Sequence, residues 1–342
     1  MMKKNMFIEN INGNVTSRPA VWFMRQAGRI LPSYLKLKQK YSFDEMMQNK
    51  ELAAKVTLLP IDDLGVDAAI LFSDILVIPK ALGLELEFTE KGPKFHNALD
   101  GNIVTKHLKF DTKKLDYIYN NIKEIKAQRP QTPLIGFCGG PLTTFLFMFR
   151  RDESKKDFNH VIKMIYKEKK KCIKIMEMLT EASIEYVNKQ VESGIDCFQL
   201  FETYCGLIPE DLYFDLIMPY ATLIMEAAKK KGCKTIFFPK NLSTGLRRIQ
   251  PEMCDYVSVD WQINLEIARE ILNKKIGIQG NMDPRLFFSS NKEIDSYLCS
   301  LKSFGKKNNN WIFNLGHGFI PGIEKEKVER VVKWIKNHNW ER

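Results

Sequence analysis

Eight short runs rich in apolar, β-branched and aromatic residues recur along the chain: Ala20 to Met24, Ala68 to Phe72, Pro133 to Phe137, Cys197 to Phe201, Thr235 to Phe238, Tyr256 to Val259, Ile276 to Gln279 and Trp311 to Leu315. They are nearly continuous in apolar character, the pattern of strands covered on both faces in a parallel sheet. Most of the gaps carry helical periodicity, notably Phe43 to Leu59, Phe158 to Val191, Pro209 to Lys231, Leu265 to Leu272, Glu293 to Leu301 and Glu324 to Lys336. Strand and helix therefore alternate, and eight such units predict an α/β fold of the closed (β/α)8 TIM-barrel kind over an open doubly wound sheet.

One stretch breaks the rhythm. Leu84 to Phe88, the turn-like Glu90-Lys91-Gly92-Pro93 and Lys94-Phe95-His96 read as a hairpin, followed by a polar helix up to Arg129. Residues 83–130 are expected to be an insertion in a single domain spanning 1–342, since no internal repeat or low-complexity linker divides the chain.

The 342 residues, 44% apolar and 27% charged, exclude disorder and fibrous folds. No secretory signal and no 18-residue apolar run is visible, which predicts a cytoplasmic protein without a membrane span. Seven cysteines contain no Cys-x-x-Cys pair, so neither a disulfide framework nor a structural zinc is indicated. The net charge of +11 suits a nucleic acid, an anionic membrane or a polyanionic small molecule, and no nucleic-acid-binding motif is present to favour the first. Lysine runs such as Lys167 to Lys171 read as solvated helix faces.

In a barrel of this type the chemistry sits on the loops after the C-terminal strand ends. There the chain places Arg25, Gln26 and Arg29; Ser73 and Asp74; Gly139 and Gly140; Glu202 and Thr203; Lys240; Asp260 and Trp261; Asn281 and Asp283; and His317 between two glycines. Two guanidinium forks four residues apart, Arg25 and Arg29, suit bidentate binding of carboxylate or phosphate, or salt bridges at the rim. Asp74 emerges from an apolar run, where a carboxylate needs a partner or a cation to stabilise. A helix N-cap is the alternative, although Ile75 to Pro79 does not begin like a helix. His317 reads equally as a hydrogen-bonding residue or a catalyst. The Gly136 to Pro141 loop matches no phosphate-binding pattern and reads as a tight turn, and nothing marks Cys138 as an activated nucleophile.

Together Arg18-Pro19-Ala20-Val21-Trp22-Phe23-Met24-Arg25-Gln26-Ala27-Gly28-Arg29, Leu71 to Leu76, Phe201-Glu202-Thr203, Val259-Asp260-Trp261, Gln279 to Pro284 and Asn314 to Gly318 resemble the motifs of the uroporphyrinogen decarboxylase family, in order and over nearly the whole chain. The resemblance implies a (β/α)8 barrel, a homodimer and no cofactor. It implies removal of the four acetate carboxyl groups of uroporphyrinogen III, giving coproporphyrinogen III and four CO2 in haem biosynthesis. The protonated pyrrole would itself be the electron sink, and a polycarboxylate tetrapyrrole suits a basic protein. Residue by residue, Asp74 would accept the pyrrole N–H groups and stabilise the cation. Arg25 and Arg29 would hold acetate and propionate arms, with Arg25 also a proton donor. Gln26, Ala27 and Gly28 would complete that wall, and Thr203 and His317 would hydrogen-bond carboxylates.

Four positions depart from the family pattern: Ile30 for tyrosine, Ser33 for glutamate, Lys38 for arginine and Phe147 for a tyrosine whose hydroxyl would reach Asp74 and substrate. The last predicts a slower or differently tuned enzyme. Related zinc-dependent methyltransferases share the fold but carry His-x-Cys, which no histidine here supplies. A tetrapyrrole-binding or RNA-binding protein without catalysis is the reading from another class, and turnover discriminates it.

Overall fold

The computed structural model describes residues 5–28, 30–89, 92–100, 108–150 and 158–342. In chain order its strands are β1 (Ala20–Val21), β2 (Ala69–Ile70), the hairpin pair β3 (Leu86–Thr89) and β4 (Gly92–Phe95), then β5 (Leu134–Gly139), β6 (Cys197–Glu202), β7 (Lys234–Pro239), β8 (Tyr256–Ser258), β9 (Gly277–Gln279) and β10 (Trp311–Phe313). All but the hairpin form one curled, wholly parallel sheet in the order β1-β10-β9-β8-β7-β6-β5-β2. Each of the eight falls on a predicted run and the fold is TIM-barrel-like. Every residue of β5 is buried, as strands covered on both faces require.

Helices return the chain between strands. The predicted Phe43 to Leu59 helix is two helices, Phe43–Gln48 and Lys50–Leu64, because Asn49 is extended and its side chain caps the second by accepting from Leu52 N–H at 3.0 Å. The long predicted segment from Phe158 likewise divides into Asn159–Lys167 and Lys169–Ser193 at Glu168. Within the stretch expected to be inserted, β3 and β4 pair antiparallel as a hairpin. Helix Asp116–Gln128 instead packs against Lys50–Leu64 and Lys169–Ser193, which makes it the crossover helix from β2 to β5. Only the hairpin and its surroundings stand outside the barrel alternation.

Side chains fill the barrel interior, one layer of them polar. Trp22 Nε1 donates to Gln279 Oε1 at 2.9 Å, and Gln279 Nε2 donates to Gln199 Oε1 and Ser258 Oγ at 3.1 and 3.0 Å. This ties the segment after β1 to β6, β8 and β9 across the core. Such a network favours one arrangement because a slip would unpair the buried Gln279 amide, which is satisfied at both ends.

No ladder joins β1 to β2, and side chains close that seam. Asp67, just before β2, donates its N–H to the Val21 carbonyl at 2.8 Å. Its carboxylate accepts from Val21 N–H at 2.8 Å and from both terminal nitrogens of Arg18 at 2.6 and 2.8 Å. One turn further, Gln26 accepts from Phe23 N–H at 3.0 Å and donates to the Ala68 carbonyl at 2.9 Å. Replacing Asp67 by alanine leaves Arg18 buried without its counter-ion, and the expected loss is about 3–5 kcal/mol, read as a lowered denaturant midpoint. D67N, which keeps an acceptor and the shape, is expected to lose less. An unchanged midpoint in D67A would mean that packing alone closes the seam.

Candidate functional site

The loops after the C-terminal strand ends meet at the barrel mouth. Arg25 sits in the Phe23 to Gln26 turn, closed by Gln26 N–H to the Phe23 carbonyl at 3.1 Å, with φ at 60°. That left-handed conformation costs a non-glycine residue about 1–2 kcal/mol and needs enforcement by its surroundings. The last loop supplies it: Asn314 Oδ1 accepts from Met24 N–H at 3.1 Å, and Phe319 N–H donates to the Met24 carbonyl at 3.2 Å. Gly318 is glycine because a Cβ there would fall 2.5 Å from Arg25 Cδ, and one on Gly316 would fall 2.5 Å from Trp261 N. The glycines flanking His317 thus let neighbouring loops interlock.

Asp74 lies half-buried after β2. One of its carboxylate oxygens accepts from Leu76 N–H at 2.8 Å, and a short helix, Val77–Ala81, does begin there. The segment thus does start a helix, Pro79 in the first turn needing no N–H partner, but its N-cap residue is Leu76 with no side-chain cap bond, so Asp74 makes a local turn and does not cap the helix. Burial pushes the Asp74 carboxyl up to about 6, against the pull of Leu76 N–H and the Arg25 charge, while Asp44 adds to the rise. Asp44 is itself held by Lys80 at 3.2 Å.

His317 is half-buried, its ring 6.1 Å from that of Phe238. Burial first, then the Arg25 and Lys240 charges, drives its pKa down to about 4, so the ring is neutral at pH 7. It is then one donor and one acceptor rather than a cation. Across the mouth Trp261 lies between two further cations, Lys240 at 5.8 Å and Arg285 at 5.2 Å from its ring.

Glu202, at the end of β6, is wholly buried. It accepts from Leu142 N–H at 3.1 Å, Thr143 N–H at 2.7 Å, the Thr143 hydroxyl at 2.5 Å and Tyr213 Oη at 3.4 Å. These are the bonds an N-cap side chain makes, supplied from the next strand to helix Pro141–Met148, whose own N-cap residue is Gly140. A Cβ on Gly140 would lie 2.5 Å from the Glu202 carboxyl carbon, so the glycine and the glutamate require each other. Burial raises Glu202 to about 7, with its donors pulling the other way.

Arg25, Asp74 and His317 thus share one electrostatic neighbourhood at the mouth. Gln26 does not line it: the side chain is buried and spent on the β1–β2 seam. Ala27, Gly28 and Thr203 are half-buried there, and Arg29 lies outside the described residues. Asp260 and Asn281 are loop struts. Asp260 accepts from Asn241 and Gln262 N–H at 2.6 and 2.9 Å, and Asn281 donates to the Ile263 carbonyl at 2.6 Å. Cys138 is buried and its thiol is pushed up by desolvation and the Glu202 charge, which leaves it inert. Of the departures from the family pattern, Ile30 is buried, Ser33 donates to Asp63 and Lys38 is exposed. Phe147 faces Phe158, Tyr204 and Arg150. Sequence reading passed over Tyr204 and Arg150, which follow different strands and have no shared motif to join them. A concavity at the opposite barrel end, among Asn12, Lys234, Asp255 and Asn310, holds none of the strand-end residues.

The family model for uroporphyrinogen decarboxylase matches residues 2–338. The chain belongs to that family. Uroporphyrinogen decarboxylase of Chlorobium phaeobacteroides is 34% identical, with 99% of each chain covered, and that of Geobacter sulfurreducens is 33% identical over 97% of this chain and 98% of its own. Among solved structures, a methyltransferase from Methanosarcina mazei superposes with a TM-score of 0.74 at 18% identity, covering 96% of both chains. A B12-independent methionine synthase from Shewanella reaches 0.60 at 13% identity, covering 87% of this chain and 89% of its own. Those two share the fold. Among the described residues, no three His, Cys, Asp or Glu side chains gather as metal ligands.

The reciprocity of Gly140 and Glu202 is testable as a double-mutant cycle. Glu202→Ala strands two N–H groups and two hydroxyls, an expected loss of about 3 kcal/mol or more. Gly140→Ala is expected to destabilise the native background strongly and the E202A background less, because the carboxyl contacts at 2.5 Å are gone while the Cβ contact at 2.9 Å remains. Additive denaturation midpoints would refute the close packing of the two.

Proposed function

We propose that Asp74, Arg25 and His317, at the mouth of a single domain formed by residues 1–342, carry out the removal of the four acetate carboxyl groups of uroporphyrinogen III, yielding coproporphyrinogen III. The family assignment makes the chain a carboxy-lyase acting on uroporphyrinogen in porphyrin and haem biosynthesis. The observation that carries the site assignment is the Asp74 carboxylate at the mouth, held by Leu76 N–H and feeling the Arg25 charge.

Each arm exchanges a carboxylate for a proton: CH2–COO⁻ becomes CH3 as one proton is taken up and one CO2 leaves. The ring is protonated at carbon, its positive charge spreads to nitrogen, and the carbon–carbon bond electrons flow into that sink; the exocyclic methylene left behind then takes a proton to become CH3 and the ring carbon releases its own, so one proton is taken up per arm. Asp74 accepts the pyrrole N–H groups and faces the developing cation, a fixed charge placed where charge appears. Arg25 and Arg29 hold carboxylate arms, Arg25 being the cation nearest this chemistry. Neutral His317 donates one hydrogen bond to a carboxylate, and Thr203 a second. Ala27 and Gly28 form the wall beside them, and Phe147 contributes ring surface in place of a hydroxyl. The reaction as written draws on no cofactor.

One sheet takes its strands from Ala20 to Phe313 and pairs the first with the last, which supports the single domain. Seven free cysteines, Cys299 exposed among them, suit the reducing cytoplasm, where we place the protein. Among the described residues no helix is long and apolar enough to cross a membrane. The homodimer rests on the family resemblance.

An anaerobic assay with uroporphyrinogen III, resolving products by carboxyl number, tests this reading. Asp74→Asn is expected to lower kcat by about 10²–10³-fold or more. Asp74 acts as the anion, so kcat/KM falls as pH drops through about 6, its elevated value in the free protein. Pyrrole N–H groups favour the charged form, so the acid limb of kcat lies lower. His317, held down near 4, adds no step between pH 5 and 8. An active D74N, or an acid limb that persists in it, removes Asp74 from this role.

A further inference from the structure

We propose that Arg150 and Tyr204, mounted on a wall of aromatic rings, form a second carboxylate-binding subsite at the barrel mouth, beside the one served by Arg25. This deepens the functional reading above and rests on it for the polycarboxylate nature of the substrate. Arg150 follows helix Pro141–Met148, which leaves β5, and Tyr204 follows β6, so adjacent loops bring them together. The wall is a closed triangle: ring centroids lie 5.7 Å apart for Phe147 and Tyr204, 5.0 Å for Phe158 and Tyr204, and 6.0 Å for Phe147 and Phe158. The Arg150 guanidinium stands 5.6 Å from the Phe147 ring centre. Rings that pin each other in this way hold a phenol and a guanidinium with little rotamer freedom left to lose on binding.

The backbone beneath is equally fixed. Tyr204 N–H donates to Thr143 Oγ1 at 3.1 Å, and Thr143 is clamped by buried Glu202. Both Tyr204 and Arg150 remain half-buried, open enough for a ligand and screened enough for a charge-assisted hydrogen bond to matter. Burial raises the Tyr204 phenol above its usual range, so it keeps its proton and donates, while the charges felt at it are those of Arg150 and Arg25. A hydroxyl donor and a planar fork, with the Arg25 charge also felt at the phenol, match one carboxylate.

Uroporphyrin, the oxidised octacarboxylate that is not turned over, separates binding from chemistry. Its affinity is to be measured by fluorescence for the native protein, Y204F, R150Q, R150K and the Y204F/R150Q pair. Y204F keeps the ring and removes only the hydroxyl, so the wall survives. Y204F and R150Q are each expected to weaken binding about five- to tenfold, R150K less, and the pair by less than the product, since both groups would hold one carboxylate. Single variants that bind within about twofold of the native protein, or a pair whose effects multiply, overturn the shared subsite. A native protein that binds uroporphyrin yet releases no CO2 from uroporphyrinogen refutes the decarboxylase reading, and the affinities still decide the subsite.

Discussion

Everything at the barrel mouth depends on how the sheet is joined where β1 and β2 do not pair. A backbone ladder sets neighbouring strands at a fixed spacing; here the carboxylate of Asp67 does that work. It gathers Arg18 and the Val21 N–H while its own backbone N–H reaches the Val21 carbonyl. A buried ion pair contributes little net stability relative to apolar packing, but its directional bonds tolerate only one geometry. The loops on either side of this seam carry Arg25 and Asp74, whose opposite charges must sit at a defined separation. The seam thus sets the distance on which the electrostatics of the mouth rest.

Those electrostatics follow from burial and from one shared charge, that of Arg25, which acts on both Asp74 and His317. Desolvation lifts Asp74, and the Leu76 N–H bond and then the Arg25 charge limit the rise so that the carboxylate stays ionised at neutral pH. Burial first, and then the same Arg25 charge with that of Lys240, keeps His317 without its extra proton. The cations that would draw in a polyanion thus add to burial in denying the histidine a positive charge of its own. A neutral imidazole can donate to a carboxylate without adding a charge that would have to be desolvated. Backbone strain at Arg25 belongs to this arrangement: the left-handed turn aims the side chain, and Asn314 and Phe319 in the last loop keep the turn from relaxing.

How much of this is legible in the chain depends on whether the signal is local. Burial on both faces leaves continuous apolar runs, so all eight barrel strands can be read from sequence. Asn49 shows why boundaries cannot: one residue ends a helix and caps the next, and the apolar periodicity runs on across it. Helix Asp116–Gln128 reads as part of an insertion because the hairpin before it breaks the alternation, and only its packing between two barrel helices places it. Gln26 follows a strand end, as a site residue would, yet its side chain turns inward. The Tyr204 and Arg150 pair and the Gly140 and Glu202 pair join residues far apart in sequence, and no spacing announces them.

The twelve-residue motif from Arg18 to Arg29 divides on the same line. Arg18 and Gln26 hold the seam, Trp22 anchors the polar layer of the core, and Arg25 faces the mouth. A motif so dense in chemistry is as much a folding device as an active-site device, which is why its match speaks for the fold and the reaction together. The exchange of tyrosine for phenylalanine at 147 falls outside that motif. The ring there still packs on Phe158 and Tyr204, so the wall keeps its shape and only a hydroxyl is missing. Tyr204 brings a hydroxyl to the same wall from the adjacent loop. A surface defined by ring packing can move its polar group from one strand end to the next without being rebuilt, because the rings fix the shape and the hydroxyl needs only one supporting contact in the backbone beneath it.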